Sequence, residues 1–183
     1  MSPPTRIFLY YLADPCLDLE IVSHVLLSTF IVSHGIRIDT ILCLFSIDKT
    51  YLINGFELRH LYPQQSSLRG FAKAVFCKNK ELPGVHINHN IILKDQIAIL
   101  YPSRKGFTVT DNPIGSYEEI IIVLNNERYF KKLLLRDAPK IPIYIPRETS
   151  IGTTITIINY VLDTWYGTAV RRKGKVIVYR AKQ

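Results

Sequence analysis

Residues 140–163 are the part of the chain best suited to gripping a small molecule. They open as a short apolar strand, pass through a loop of Pro146, Arg147, Glu148, Thr149, Ser150 and Gly152, and end in an apolar segment closing at Asp163. A strand–loop–helix junction exposes free backbone N–H and C=O groups, which hold a cofactor without any special side chain. The same residue types also suit a β-α connection that carries no ligand, so this reading stays open on composition alone. Elsewhere the reactive side chains form no array. His86 and His89 have a spacing that suits a metal, but no cysteine or second pair completes a site, and no metal is expected. Cys16, Cys43 and Cys77 are widely spaced and odd in number, and read as buried thiols.

Charge points to a partner. The formal net charge is +8, and the pI is about 9.4. Such an excess favours a polyanion, because each basic group near a phosphate releases condensed counterions. Arg171, Arg172, Lys173, Lys175, Arg180 and Lys182 crowd the end of the chain with no acid among them. RNA is favoured over a merely soluble basic protein. Arg69 and Lys73, with Lys78, lie on one expected helix and offer a second phosphate-facing surface, or an ordinary solvated face.

Residues 148–163, above all Ile155-Thr156-Ile157-Ile158 followed by Val161-Leu162-Asp163, resemble the C-terminal cofactor-loop-and-helix segment of the archaeal tRNA pseudouridine N1-methyltransferases, a family of the knotted SPOUT superfamily. Two further stretches are similar to that family in the same order. One is Phe30-Ile31-Val32-Ser33-His34-Gly35-Ile36-Arg37-Ile38-Asp39; the other is Gly55-Phe56-Glu57-Leu58-Arg59, continuing through Pro63 to the helix-like residues 68–75. Pro83-Gly84 and the apolar run 120–124 also fall where the family has counterparts. The likeness is collinear over roughly residues 17–165, although each motif alone is weak.

The resemblance implies an α/β fold, SPOUT-type and knotted, with a mostly parallel central sheet and a deep C-terminal trefoil knot at about residues 118–165 of a domain spanning 1–167. Residues 168–183 lie beyond the family's usual end as a basic C-terminal hairpin extension. It implies a homodimer, S-adenosylmethionine (S-adenosyl-L-methionine) as cofactor, and methyl transfer to pseudouridine in the tRNA T loop. Another RNA, such as ribosomal RNA, is the second reading, and a non-catalytic RNA-binding or interaction protein of the same fold is the third. By resemblance the cofactor slot is lined by Leu100, by Leu124 and Asn125, and by Tyr144, Ile145, Pro146, Arg147, Glu148 and Thr154. Arg37 is expected to face RNA phosphate or brace the site wall, or else to be solvated beside Asp39, and Arg59 joins the RNA-binding set.

The departures from the family fall on the chemistry. Where the family has a glycine-bearing loop after the apolar strand, this chain has Asn125-Asn126-Glu127-Arg128-Tyr129. Asn125 can partly imitate glycine's positive backbone angles, and Tyr129 cannot. The family's His-x-Asn-His-Cys before the last helix becomes Ser150-Ile151-Gly152-Thr153-Thr154. Its Arg-x-Asp is represented by Asp18-Leu19-Glu20, which keeps an acid and loses the arginine. Glu20 is therefore the candidate catalytic acid, to accept a proton or orient the base; an acid in a helix's first turn also serves the helix dipole.

The elements that must position these residues follow from hydrophobic patterning. Residues 6–12, 39–46, 49–54, 85–87, 97–101, 120–124 and 140–145 read as strands. Residues 17–33 read as a helix with Val22, Leu26 and Phe30 on one stripe, widened by Ile21 and Val25 and closed at His34-Gly35. Further helices are expected at about 66–76 and 127–135. In 152–165 the β-branched alternation argues strand, while Ile151, Ile155, Ile158, Leu162 and Trp165 share a helical stripe; helix is chosen. Residues 168–180 read as a β-hairpin turning near Lys173-Gly174. The 183 residues suit one domain, no run is long enough for a membrane span, no signal pattern opens the chain, and a cytosolic (cytoplasmic) location is expected.

Overall fold

The computed structural model describes residues 3–33, 35–89, 92–108, 115, 117–125, 129–131 and 137–181. In chain order these form β1 (Thr5–Tyr11), α1 (Leu19–Phe30), β2 (Ile31–Val32), β3 (Gly35–Arg37), β4 (Thr40–Phe45), β5 (Thr50–Asn54) and α2 (Gln65–Ala72). A π-helical turn (Lys73–Cys77) extends α2, then come β6 (Val85–Ile87), β7 (Ile97–Ser103), β8 (Glu119–Val123), β9 (Lys140–Tyr144), α3 (Ile151–Tyr166), β10 (Thr168–Arg172) and β11 (Lys175–Tyr179). The expected helix at 127–135 and the turn cluster at 111–115 fall largely outside the described residues.

The larger sheet has the order β6-β5-β4-β1-β8-β7-β9. Strands β9, β7, β8, β1 and β4 run parallel, and β5 and β6 are antiparallel additions at one edge. Burial on both faces explains the unbroken apolar runs of β1 and β8: all five residues of β8 are buried. One face, with Phe8, Leu42, Leu100 and Ile122, packs under Val22, Leu26 and Phe30 of α1, Leu68 of α2, and Ile155, Ile158 and Leu162 of α3. The other face, with Ile7, Cys43, Ile99 and Ile121, is covered in part by Phe130.

The conflict in α3 resolves as helix. Ile155, Ile158, Leu162 and Trp165 are buried along one stripe. Each such burial contributes about 1.5–3 kcal/mol, whereas β-branched residues lose only about 0.5 kcal/mol apiece in helix propensity. Ser150 starts the helix by accepting a hydrogen bond from the Thr153 N–H at 3.2 Å.

Four details differ from the expectations. Helix α1 stops at Phe30, not Ser33, because Ile31 and Val32 leave it to pair with β3. Gly35 is not a helix cap: it opens β3, where a Cβ would lie 2.4 Å from Val170 Cγ1, so the missing side chain lets β10 approach. Ile21, expected to widen the buried stripe, is exposed. Cys16 and Cys77 are not thiols but a disulfide spanning 61 positions of sequence, and Cys43 alone is a free buried thiol among the described residues. The bond ties the entry to α1 to the end of the π-helical turn.

Strands β11-β10-β3-β2 form the second sheet, antiparallel throughout. Its hairpin turns at Lys173 (φ 49°) and Gly174 (φ 77°). Two positive angles in a two-residue loop define a type I′ turn, whose twist matches that of the strands. Among the described residues no helix is long and apolar enough to cross a membrane.

Candidate functional site

The carboxyl ends of the parallel strands are where an α/β sheet opens toward ligands. Two connections shape that edge. After β7 the chain doubles across β9: the Ile145 N–H donates to Ser103 O on one side, while Phe107 N–H donates to Pro142 O and Tyr144 N–H to Phe107 O on the other. Residues 104–106 therefore strap over β9 from edge to edge. Gly106 makes the crossing, where a Cβ would lie 2.7 Å from the backbone of Ile143, Pro142 and Tyr144. Beyond the strap, Tyr144, Pro146, Arg147 and Glu148 are exposed. Glu148 takes a left-handed φ of 58°, a conformation that strains a non-glycine residue, and Thr149 Oγ1 donates to Pro146 O at 2.8 Å.

The rest of the expected cofactor set is engaged by the protein itself. Leu100, Leu124, Ile145 and Thr154 are buried, and the three apolar ones belong to the core under the helices. Asn125 is fixed on Tyr11: its Oδ1 accepts from the Tyr11 N–H and its Nδ2 donates to the Tyr11 carbonyl, both at 2.8 Å. The Tyr129 ring stacks on Tyr11 at 5.0 Å and on Phe45 at 5.6 Å. Asn125 and Tyr129 thus cover the ends of β1 and β4. Asn126, Glu127 and Arg128 lie outside the described residues, as does His34.

A cleft lies where three helices meet. Leu17, Asp18, Leu19, Glu20, Ile21 and His24 of α1 and its approach face Arg69 of α2 and Ser150, Ile151 and Gly152 at the start of α3, around a cavity of about 680 Å³. That volume is within the range of about 300–1,000 Å³ usual for small-ligand sites. Gly152 allows the helices to close on one another, its Cα facing Ser28 and His24, and Asn159 Nδ2 donates to Ser28 O at 2.9 Å. Burial, followed by the Asp18 carboxylate, holds the nearby Tyr10 hydroxyl above its ordinary pKa. The structure therefore brings together Glu20 and Arg69, expected in separate roles. Asp18, His24 and Ser150 line the same cleft without having been expected there. The sequence holds a signal for two of them: the four-residue spacing of Glu20 and His24, which shares a helix face, and the cap position of Ser150 before the helical stripe.

Arg37 corrects an expectation. It neither faces phosphate nor stands solvated: it is 5% exposed, and its guanidinium grips Asp163 through two hydrogen bonds of 2.6 and 2.8 Å. Arg6, fully buried, shares Asp163 at 2.7 Å, donates to Asn159 Oδ1 at 2.9 Å and to Gly167 O at 2.6 Å, and lies 3.9 Å from Asp39. Asp39 in turn accepts from the Ala169 N–H. Two guanidinium groups thus face two carboxylates where the sheets join. Burial pulls the Arg6 guanidinium below its ordinary pKa, against the opposing pull of Asp39; Arg37 lowers it further and Asp163 raises it.

The other cations divide. Arg171 donates to Leu58 O at 3.2 Å and to Phe56 O, with its guanidinium 5.7 Å from the Phe56 ring, and Arg59 donates to the same two carbonyls. Both therefore brace the turn at 56–58, and burial, then Arg59, lowers the Arg171 pKa. Lys73, Arg172, Lys173 and Lys175 are exposed. His86 Nε2 lies 3.0 Å from Glu57 Oε2, and among the described residues no group of three or more His, Cys, Asp or Glu is arranged to hold a metal ion. Compared with protein-family models and with curated proteins, the chain matches no family and no curated relative.

Proposed function

We propose that the chain is an S-adenosylmethionine-dependent RNA methyltransferase of the SPOUT type, acting on pseudouridine in tRNA. One observation carries the reading: the strap at 104–106 crosses β9 just before the exposed turn of Pro146, Arg147 and Glu148, and the start of α3 that follows this turn lines the cleft that holds Glu20. Two backbone segments brought together at the carboxyl edge of a parallel sheet lie where such a fold takes its ligand.

The residues fit the cofactor at that turn, where the exposed Arg147 and Glu148 would meet its polar ends, with Leu100, Leu124, Ile145 and Thr154 forming the wall behind rather than direct contacts. When bound, S-adenosylmethionine supplies an electrophilic methyl group. The protein's own work is to hold the acceptor nitrogen in line and take its proton. Glu20, exposed in the first turn of α1, is placed to accept that proton. Arg69 across the cleft holds a phosphate of the RNA, and Lys73, Arg172, Lys173 and Lys175 extend the cationic surface. Calorimetric titration with S-adenosylmethionine tests the pocket, and no heat at millimolar ligand ends the reading. Transfer of labelled methyl to tRNA, but not to tRNA lacking pseudouridine or to ribosomal RNA, tests the substrate; transfer to ribosomal RNA alone moves the target and keeps the chemistry.

A second reading has its own support. The Asn125–Tyr11 hydrogen bonds and the Tyr129 stack fill the edge between β1 and β8. This favours a non-catalytic RNA-binding protein, for which RNA binds with no cofactor heat.

A further inference from the structure

The small sheet turns one face toward the end of α3, and a hollow remains there. In an antiparallel pair directly opposed residues share a face, and along a strand every second residue does. The registers Thr168↔Tyr179, Val170↔Arg37 and Val32↔Gly35 therefore set Tyr179, Thr168, Val170, Arg172, Arg37 and Val32 on a single face. A cavity of about 220 Å³ lies on it, lined by all of these except Arg37 and by Ser33 and Asp163. Neither the cleft at Glu20 nor the turn at 146–148 includes any of them.

The carboxylate decides what enters. A carboxylate has room for about four hydrogen bonds. Oδ1 of Asp163 accepts one from Arg6 at 2.7 Å and one from Arg37 at 2.6 Å, and Oδ2 accepts one from Arg37 at 2.8 Å. One acceptor site is left, on Oδ2, and the side chain is still 26% exposed. Its charge is already matched, since Asp39 and Asp163 balance Arg6 and Arg37. A cation therefore gains little here, while a phosphate or carboxylate is repelled by the spare oxygen. A neutral N–H donor fits. Around it the signs reverse: the exposed Arg172 has no partner among the described residues, and Lys175 stands directly opposite it. The ligand thus joins a neutral donor inside to an anion outside, as a nucleotide does. Tyr179, 48% exposed, adds an aromatic ring on which an unstacked base of single-stranded RNA can rest.

We propose that this cavity takes one uracil-type base of single-stranded RNA. Its imide N–H donates to Asp163 Oδ2, its carbonyls accept from Ser33 and Arg172, its ring lies against Tyr179, and its phosphates meet Lys173 and Lys175. An imide presents acceptor, donor and acceptor, which matches one spare carboxylate site set among a hydroxyl and a guanidinium. Cytosine and adenine each bring an amino group with two N–H donors, and guanine brings three donors; a donor left unmet costs affinity. Asp163 stands about 18 Å along α3 from Ile151, so the base held here is another nucleotide of the RNA, not the one methylated. The inference rests on the RNA-binding part of the reading above and not on methyl transfer.

The test is fluorescence anisotropy of labelled single-stranded RNA of about six nucleotides, titrated with the full chain at low salt and without cofactor. Oligo(U) is expected to bind about tenfold or more tightly than oligo(3-methyluridine), in which a methyl group replaces the imide hydrogen, because one hydrogen bond to a charged group is lost. Oligo(C) and oligo(A) are expected to bind more weakly than oligo(U) as well. This comparison uses the wild-type protein, so it does not depend on any variant folding. Tyr179→Ala, at a half-exposed position, should weaken oligo(U) about fivefold or more and bring it level with the methylated form. Equal affinity for oligo(U) and its 3-methyl form, or a preference that survives Tyr179→Ala, overturns the proposal and leaves the RNA reading standing. Failure of every RNA to bind overturns both.

Discussion

Two charged regions of the molecule invite comparison. Around Asp163, itself partly exposed, two buried guanidinium groups and two carboxylates are bound to one another; around Glu20 and Arg69, charges line an open cleft. The first group joins residues from β1, β3, α3 and β10, and most of its polar atoms are spent on one another: among the described residues its buried side-chain atoms without a partner are Nε of Arg6 and of Arg37. The second holds ionisable groups apart across space that a ligand would fill. A basic composition therefore says less about RNA than it first suggests, because Arg6, Arg37 and Arg171 are engaged by the protein while Arg69, Lys73 and the hairpin lysines face solvent.

Substitutions sharpen this contrast, and the largest effect on stability is expected in the buried group. Asp163→Ala takes the shared carboxylate from both guanidinium groups, leaving Arg6 to Asn159, Gly167 and Asp39 and Arg37 to Thr168, and should cost about 3 kcal/mol in urea unfolding; a loss below about 1 kcal/mol would mean that the cluster is solvated and equivalent to the cleft. Next comes Cys16→Ser, which opens the 61-position loop and should lower stability by about 2–4 kcal/mol. A reducing agent should do the same to the wild-type protein and nothing further to the variant. Asn125→Ala removes two hydrogen bonds from Tyr11 and should cost about 1–3 kcal/mol.

A smaller effect follows from pH. Burial raises the Tyr10 and Tyr51 hydroxyls above their ordinary values, with Asp18 adding to the first and Asp14 and Asp48 to the second. The folded state therefore keeps these protons longer than the unfolded chain does. The contribution is whole below the unfolded value of about 10 and is lost as pH rises through the raised folded values. Stability measured from pH 9 upward should fall, and a flat profile would count against burial of these hydroxyls. The smallest change is expected at the cleft. Glu20→Gln should leave stability within about 0.5 kcal/mol while methyl transfer to tRNA falls about 100-fold or more. Unchanged transfer would return Glu20 to the role of a helix-dipole acid.

Most of the secondary structure was legible because its causes are local. The alternation of turn residues and apolar runs located β1, β4, β8 and β9, and Lys173-Gly174 marked the hairpin turn because few other residues accept two positive φ angles. Helix α3 was legible once stripe and alternation were weighed against each other. What escaped notice depends on partners far along the chain. Nothing near Arg37 announces Asp163, and nothing near Cys16 announces Cys77. Gly35 looked like a cap because its neighbours fit one; its reason is Val170, on a strand of the other end. The cleft was half legible: Glu20 and Arg69 were each noted, but only packing of α1, α2 and α3 sets them on one cavity.

The arginine at position 6 also constrains how the protein is made. Its closest neutral acceptors lie 153 and 161 positions later, and of its two carboxylate partners only Asp39 comes early, so a ribosome delivers the cation long before most of the groups that hold it. Until then β1 can take its central place only by burying the guanidinium with Asp39 as counterion and its closest acceptors missing, a state costing several kcal/mol. The nascent chain must therefore keep its first strand hydrated, or shielded by a chaperone, and complete the sheet only when α3 and the turn at Gly167 have emerged. Stalled translation products ending before Asn159 should accordingly be protease-sensitive throughout, rather than folded in their first half.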